Sequence, residues 1–314
     1  QAPAATLSDI DWHREMLCDR HRVTAFRQAV KKAVSPGDVV VDIGTGTGLL
    51  ALLAIEAGAA RVYAIERGEI IVIARQIARQ NGLDDRVSFI RGDSRQVEIG
   101  ERADLVMGEL IGSLGLDEDI ITIFCDARER FLKPGGRLLP DSLDLIVAPT
   151  EEGETQAAWK RDFESECGLD FSPFTELSQH RTLGLWADPD KLLAPGSALL
   201  RCDFHRDTPA ILRGEVETDI TRSGILTGWV SWFVARYRGL PFLTTRPPID
   251  GSSWENVVFP TGDSVAVSAG DCVRLKLRRD NPFWGWETQF GEGEWRTFGE
   301  IYGVPPRDLV PRED

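Results

Sequence analysis

The chain has 314 residues, a hydrophobic fraction of 42% and a formal net charge of −14. This length predicts one large domain or two modest ones with a substantial buried core, and the composition excludes an intrinsically disordered chain. No apolar run approaches the roughly 18 residues of a membrane span, and the acidic balance disfavours nucleic acid as a partner. The five scattered cysteines form no CxxC pair, which argues against a disulfide framework and a metal site. We therefore expect a cytoplasmic protein whose negative charge either keeps it in solution or attracts a cationic substrate.

The first 140 residues alternate between helix-like and strand-like patterns. A helical rhythm in Trp12–Val34 precedes a buried strand at Val39–Val41 and a glycine-rich turn at Gly44–Gly48. The later predicted elements are helices at Leu49–Ala57, Ile70–Asn81 and Ile120–Phe131, and strands at Arg61–Ile65, Val87–Ile90, Ala103–Met107 and Arg137–Leu139. This order predicts a helical segment over residues 1–34, then an α/β domain over residues 35–140 with a parallel sheet covered on both faces.

Beyond Pro140 the pattern becomes strand-like and richer in Trp, Thr, Gly and Pro. The predicted strands are Leu143–Ala148, Ala198–Phe204, Ala210–Val216, Ile225–Tyr237 and Ser264–Leu277. They predict an antiparallel β domain over residues 141–314. The segment Trp159–Leu193 is polar and partly helical, so it is expected to be an insertion in that domain.

A candidate cofactor site follows the first predicted strand, where Val39–Gly48 runs from apolar residues into glycines. Such glycines allow a tight turn and bring a ligand close to backbone N–H groups. Glu66 ends the second strand and can accept hydrogen bonds from both ribose hydroxyls, while Asp93 follows the third strand and can receive an adenine amino group. The candidate cofactor-binding residues of this region are Asp42, Gly44, Gly46, Gly48, Glu66, Asp93 and Ser94. A nicotinamide dinucleotide is the competing cofactor, but the GxGxG spacing and Asp93 are more similar to S-adenosylmethionine (SAM) sites.

Two glutamates, Glu109 and Glu118, follow the fourth predicted strand and are separated by a glycine-containing loop. A loop that doubles back brings both carboxylates to one pocket, where they can form paired, charge-assisted hydrogen bonds with a planar guanidinium. The alternative is that Glu118, beside Asp117 and Asp119, only supplies negative charge near a helix N-terminus.

These motifs together resemble the protein arginine methyltransferases, which are class I SAM-dependent enzymes, along almost the whole chain. The run His13–Arg22 resembles the helix that precedes their SAM domain, and Gly44–Gly48 with Glu66 is similar to their SAM motifs. Glu109 and Glu118 resemble their double-glutamate loop at its usual separation.

The second half of the chain carries a weaker part of the same resemblance. Leu138–Asp141 is similar to the crossover into the family's β-barrel, and Trp159–Leu193 to the arm that makes a head-to-tail dimer. Gly228–Phe233 and Ser252–Trp254 resemble a barrel strand and the family's Thr-His-Trp loop.

The resemblance implies a Rossmann-like SAM domain followed by an antiparallel β-barrel with an inserted dimerisation arm, and a homodimer. It implies SAM as cofactor, S-adenosylhomocysteine as product and arginine as acceptor, with Glu109 and Glu118 as catalytic residues. Arg22 is then expected to bind the SAM carboxylate, and Met16 to face the acceptor. Ser253 and Trp254 are expected to contact the substrate.

Two departures from the family pattern concern the acceptor. Ser253 stands where the family loop carries histidine, and Pro3–Leu7 contains no tyrosine where the family has a tyrosine-rich helix. The sequence therefore slightly favours free L-arginine or a small guanidine as substrate, as in the free-arginine methyltransferases of antibiotic biosynthesis such as that of streptozotocin. The alternatives are a protein arginine N-methyltransferase and a catalytically inactive scaffold. Trp254 and Trp232 are expected either to wall the acceptor pocket or to belong to the barrel core.

Overall fold

The computed structural model describes residues 7–153, 179–206, 211–249, 251–280 and 283–299, with positions 161, 168–171, 173 and 177. Two helices open the described chain, α1 (Leu7–Cys18) and α2 (Arg20–Ala33). The sequence predicted a helical pattern from Trp12, whereas the helix begins at Leu7 and a break falls at Asp19. Asp19 has extended backbone angles and caps α2, because its carboxylate accepts the backbone N–H of Arg22 at 2.9 Å.

A five-stranded parallel sheet follows and confirms the predicted α/β domain. Its strands are β1 (Val39–Ile43), β2 (Arg61–Glu66), β3 (Val87–Arg91), β4 (Ala103–Gly108) and β5 (Leu132–Leu139). The helices that connect them are α3 (Leu49–Glu56), α4 (Ile71–Gln80) and α5 (Ile120–Arg130). The strand order is β3-β2-β1-β4-β5, so the order reverses between β1 and β4. Ligands of open α/β sheets bind at such a switch point, beyond the carboxyl ends of the strands.

The fifth strand begins earlier than the sequence predicted. Pro134, Gly135 and Gly136 were expected to end the preceding helix, with a strand from Arg137, but all three lie within β5. Leu132 already pairs with Ala103, and the register shifts before Arg137 pairs with Leu105. A bulge of this kind accommodates extra residues in a strand, which explains how the Pro-Gly-Gly run fits.

After β5 the pairing becomes antiparallel, as predicted. A six-stranded sheet has the order β7-β12-β10-β6-β8 with β11 beside β10, and a four-stranded sheet has the order β15-β14-β13-β9. The strands are β6 (Ser142–Thr150), β7 (Leu183–Leu185), β8 (Ser197–Asp203), β9 (Ile211–Asp219), β10 (Gly224–Tyr237), β11 (Leu240–Thr244), β12 (Asn256–Val267), β13 (Cys272–Asp280), β14 (Phe283–Phe290) and β15 (Arg296–Gly299). A short 3-10 helix spans Pro189–Lys191.

Two sequence-based predictions for this half need correction. Ser264–Leu277 was expected to be one strand, but β12 ends at Val267 and β13 begins at Cys272, with a turn at Gly270, whose φ is +96°. The predicted arm Trp159–Leu193 extends too far, because β7 lies within that range and pairs with β12. Most of the remaining arm lies outside the described residues.

One hydrophobic core joins the parallel and antiparallel parts. Phe124 of α5 and the barrel residues Trp229 and Trp286 belong to the same cluster of buried side chains. The indole N–H of Trp229 donates to Thr288 Oγ1 at 3.1 Å, and that of Trp286 to the Pro260 carbonyl at 2.8 Å. The shared cluster therefore packs the barrel against the α/β domain, and the two indole hydrogen bonds join the two sheets of the barrel to each other. Among the described residues, none of the helices has both the length and the apolar character that crossing a membrane requires.

Candidate active site

A cavity of about 740 Å³ lies at the carboxyl edge of the parallel sheet, between that sheet and the barrel. Its walls come from α1, the start of α2, the glycine loop after β1, the ends of β2 and β3, and the loop after β4. Ser253 and Trp254 close it from the barrel side. This volume is in the upper part of the range of ligand-binding clefts, roughly 300–1,000 Å³.

The glycine loop after β1 adopts backbone angles that favour glycine. Gly44, Gly46 and Gly48 have φ values of +68°, +54° and +87°. A Cβ atom at Gly44 would lie 2.6 Å from Leu110 Cδ2, and one at Gly46 would lie 3.1 Å from His13 Cε1. The glycines therefore form a close-fitting cradle whose backbone lines the cavity at Gly44 and Gly46.

Two acidic residues hold this loop in different ways. Glu66 lines the cavity, and its carboxylate accepts the N–H of Gly46 at 3.1 Å and of Gly68 at 2.7 Å. Asp42 is fully buried and accepts the Thr45 hydroxyl at 2.5 Å. Burial raises the pKa of Asp42 to about 7. Asp42 and Gly48 are not among the described residues that line the cavity, and their cofactor-binding role stays a prediction.

Asp93 and Ser94 line the cavity beyond β3, as predicted, but Asp93 has a partner that the sequence reasoning missed. Arg95 Nη2 lies 2.8 Å from Asp93 Oδ2, and Arg95 Nε donates to Oδ1 at 3.0 Å. These bonds lower the pKa of Asp93 to about 2. Arg95 Nη1 also lies 3.4 Å from Asp119 Oδ2, which links this edge of the cavity to the start of α5. The adenine-binding role of Asp93 stays a prediction.

The structure places all the predicted acceptor residues, Met16, Glu109, Glu118, Ser253 and Trp254, in the lining of this one cavity. The part of the cavity beside Glu109, Ser253 and Trp254 is called its acceptor end. The loop after β4 therefore doubles back as the spacing of the two glutamates predicted, and both face the same cavity. Within the described residues Trp232 does not line it; this side chain is 4% exposed and packs in a small barrel cluster, so its core interpretation was right.

The guanidinium of Arg22 lies inside this acceptor end. Arg22 Nη2 forms an ion pair with Glu109 Oε2, Nη1 donates to Ser253 Oγ at 3.4 Å, and Cζ lies 4.5 Å from the centroid of the Trp254 ring. Desolvation lowers the pKa of Arg22 to about 10, against the attraction of Glu118 and Asp19. The resemblance predicted Arg22 as a cofactor ligand and gave no sign of this position.

Two further features set the charge at this end of the cavity. Desolvation raises the pKa of Glu118, with the positive charge of Arg22 acting in the opposite direction. Asp19 accepts the Ser252 hydroxyl at 3.0 Å and the Ser253 N–H at 2.8 Å, so it joins α2 to the barrel loop. The sequence reasoning missed Asp19, although its position just before a helical run is typical of a capping residue.

Within the described ranges, no group of three or more His, Cys, Asp or Glu side chains is arranged to hold a metal ion.

Comparison with known proteins identifies the class of this site. Residues 34–196 match the family described as Methyltransferase domain. The chain is 36% identical over 169 residues to probable protein arginine N-methyltransferase 6 of Arabidopsis thaliana, covering 53% of this chain and 39% of that protein. It is 28% identical over 277 residues to protein arginine N-methyltransferase 6 of Xenopus laevis, covering 83% of this chain and 81% of that protein.

Solved structures with the same fold extend over nearly the whole chain. The Trypanosoma brucei PRMT1 enzyme-prozyme heterotetrameric complex with AdoHcy matches with a TM-score of 0.83 at 21% identity, covering 92% of this chain and 98% of that chain. Arabidopsis thaliana protein arginine methyltransferase 10 matches with a TM-score of 0.77 at 23% identity, covering 92% and 96%. The predicted arrangement of a Rossmann-like domain before an antiparallel barrel is confirmed by these matches.

The fold and the cavity thus define a class I methyltransferase. The chain belongs to the Methyltransferase domain family, and the relatives with which it aligns over most of their length are named protein arginine N-methyltransferases. It is an enzyme that uses SAM as its cofactor.

Proposed function

We propose that this enzyme transfers the methyl group of SAM to a guanidinium nitrogen of an arginine residue in a protein or peptide. The observation that carries the proposal is the position of Arg22. A guanidinium of the chain itself already fits the acceptor end of the cavity, paired with Glu109 and stacked near Trp254. The same carboxylates and ring suit the guanidinium of an arginine substrate once Arg22 turns away.

The residues at the two ends of the cavity have separate roles in this proposal. The glycine cradle and Glu66 hold SAM, with backbone N–H groups and a carboxylate suited to its polar groups. Arg22 turns from Glu109 toward the SAM carboxylate, as the family resemblance implies. That movement leaves Glu109 and Glu118 free to bind the acceptor guanidinium.

Catalysis then depends on orientation and charge. When bound, SAM supplies an electrophilic methyl group on a positively charged sulfur. Glu109 and Glu118 hold the acceptor guanidinium in plane and direct one terminal nitrogen at that carbon, so that the new N–C bond forms as the C–S bond breaks and its electron pair stays on sulfur. The proton released from nitrogen passes to a cavity carboxylate, and the raised pKa of Glu118 suits it to this role.

Protein-bound arginine is a better-supported acceptor than the free arginine that the sequence favoured. The relatives that align over most of their length are named protein arginine N-methyltransferases. The free-arginine reading rested on Ser253 and on Pro3–Leu7, and residues 1–6 lie outside the described residues. Ser253 has its own hydrogen-bond partner at this position, because its Oγ donates to Asp19 Oδ2 at 3.1 Å. Free L-arginine remains the second candidate because a histidine is still missing from that loop.

A kinetic comparison separates these acceptors. We expect kcat/KM for a peptide with Arg-Gly-Gly repeats to exceed that for free L-arginine by at least about tenfold, because peptide groups outside the guanidinium pocket add binding energy that lowers the barrier. The same peptide with lysine in place of arginine is the control and should give no product. A kcat/KM for free L-arginine that exceeds that for the peptide would show that free arginine is the acceptor.

We propose in addition that the enzyme acts as a head-to-tail homodimer. The family resemblance of the arm and the heterotetrameric complex of the Trypanosoma brucei relative support this. Val72 and Ile73 of α4 are 46% and 42% exposed, which leaves an apolar strip on the outer face of the α/β domain. Light scattering after size-exclusion chromatography is expected to give twice the chain mass of 34.8 kDa, and a monomer at micromolar concentration would contradict the proposal.

A further inference from the structure

The barrel holds the loop that carries the two glutamates, here called the clamp loop (residues 109–118). The indole N–H of Trp254 donates to the Ile111 carbonyl at 2.6 Å. Gly115, with φ +78°, packs so closely on the barrel that a Cβ atom there would lie 2.9 Å from Phe233 Cβ. Both contacts fix the middle of the loop, and neither lies next to Glu118.

Asp117 supplies a third attachment immediately beside Glu118. Its Oδ2 accepts the backbone N–H of Leu114 at 2.8 Å, which closes the loop on itself. The same carboxylate accepts a hydrogen bond from the side chain of Trp284 and is attracted by Arg279. It also packs against Gly112, where a Cβ atom would lie 2.5 Å from Asp117 Oδ2.

The barrel partners of Asp117 are rigidly held. Arg279 of β13 and Trp284 of β14 face each other in register across the four-stranded sheet, and each is 4% exposed. Arg279 Cζ lies 5.6 Å from the centroid of the Trp284 ring. A carboxylate that is hydrogen-bonded to Trp284 and attracted by Arg279 has a defined position, so the peptide that leads into Glu118 is fixed as well.

We propose that Asp117 is a positioning residue, which holds the Glu118 carboxylate in its acceptor-binding orientation by tying the clamp loop to Trp284 and Arg279. This inference rests on the proposed function, since it assigns a support for one of the two acceptor-binding carboxylates. Asp117 also lines the cavity, but the role assigned to it is to act on the acceptor through the backbone of its neighbour Glu118.

Asp117 also affects the charge state of Glu118. Desolvation raises the pKa of Glu118 most; the positive charges of Arg22 and Arg67 lower it, and the negative charge of Asp117 raises it. Removing the charge of Asp117 therefore lowers the pKa of Glu118. The acid limb of the pH–rate profile should then move to lower pH, which loss of folding alone would not produce.

Asp117→Asn is the main test, because asparagine has nearly the same shape but lacks the charge and one acceptor oxygen. We expect kcat on the arginine peptide to fall about 10- to 100-fold, the scale of a displacement of about 1 Å at a catalytic group. SAM affinity measured by calorimetry should stay within about twofold, and the acid limb should move to lower pH. Trp284→Phe removes only the indole donor, so it should lower kcat by a smaller factor without moving the acid limb.

Glu217→Gln is the matched control. Glu217 pairs with Arg274 at 2.7 Å on the same four-stranded sheet and is not among the described residues lining the cavity. This variant should keep wild-type kcat. Wild-type turnover, measured first, tests the proposed function separately. An Asp117→Asn enzyme with normal kcat and an unmoved acid limb would overturn the inference. If Asp117→Asn has a clearly lower melting temperature than the wild type, the Trp284→Phe variant becomes the test. Normal kcat in Trp284→Phe would then overturn the inference.

Discussion

Glu109→Gln and Glu118→Gln are each expected to reduce kcat by at least about 100- to 1,000-fold, the usual cost of removing one group that stabilises the transition state. Glutamine keeps the shape of the side chain but presents an N–H₂ group to a guanidinium that has only donors. The substituted side chain therefore loses both the ionic attraction and one of the paired hydrogen bonds. Both variants should still bind SAM, because neither substitution changes the glycine cradle or Glu66.

Rates of product formation by mass spectrometry, with SAM affinity by calorimetry, measure this prediction. Glu56→Gln makes the same chemical change at an exposed ion pair, 3.1 Å from Arg27, and should leave kcat unchanged. Near-normal turnover by either Glu109→Gln or Glu118→Gln would show that the substituted glutamate is not needed to hold the acceptor guanidinium. Loss of SAM binding together with turnover would instead point to a damaged fold.

The pH dependence of the wild-type enzyme follows from the same carboxylates. The pKa of Glu118 is raised by desolvation, so this group gains a proton at a higher pH than an ordinary glutamate. The ionised form holds the guanidinium, and kcat/KM should therefore be constant above this raised pKa and fall as the pH drops through it. Glu118→Gln should lose that limb along with most of its activity. The residual rate of this variant against pH measures the effect.

Arg22→Lys is expected to weaken SAM binding about 10- to 100-fold, the scale of one lost hydrogen bond between charged groups, about 1.5–3 kcal/mol. Lysine keeps the charge but lacks the planar fork with which arginine binds a carboxylate through two parallel bonds. In the structure Arg22 also contacts Glu109, Ser253 and Trp254, so the substitution removes a guanidinium from the acceptor end as well.

Calorimetric titration of SAM checks this prediction. Arg296→Lys is the matched control, because Arg296 lies 3.2 Å from Asp263 with both side chains well exposed and outside the cavity lining described above. Unchanged SAM affinity in Arg22→Lys would show that Arg22 stays at Glu109 and does not serve the cofactor.

The α/β half was predictable because its signals are local. Apolar runs at Val39–Ile43 and Ala103–Gly108 form strands buried on both faces. Gly58 and Gly82, which follow α3 and α4, have the positive φ that ends a helix. The error at β5 arose because Pro134-Gly135-Gly136 reads as a terminator by local rules, whereas pairing with β4 forces a bulged strand there.

The acceptor end was predictable only in part. The spacing of Glu109 and Glu118 indicated a shared pocket, because a loop of that length can double back. The position of Arg22 was not predictable, since the cavity carboxylates that attract it come from distant segments of the chain. The contacts of Asp117 with Trp284 and Arg279 likewise depend on how the barrel packs against the clamp loop, and no local pattern encodes that packing.

The most direct test of the central claim is tandem mass spectrometry that locates the transferred methyl group on an arginine-containing peptide after incubation with SAM. We expect a methyl group on a guanidinium nitrogen with the wild-type enzyme, and none above background with Glu118→Gln. Methylation of a lysine, a terminal amine or a carboxylate in place of arginine would contradict it, and so would equal arginine methylation by the two enzymes.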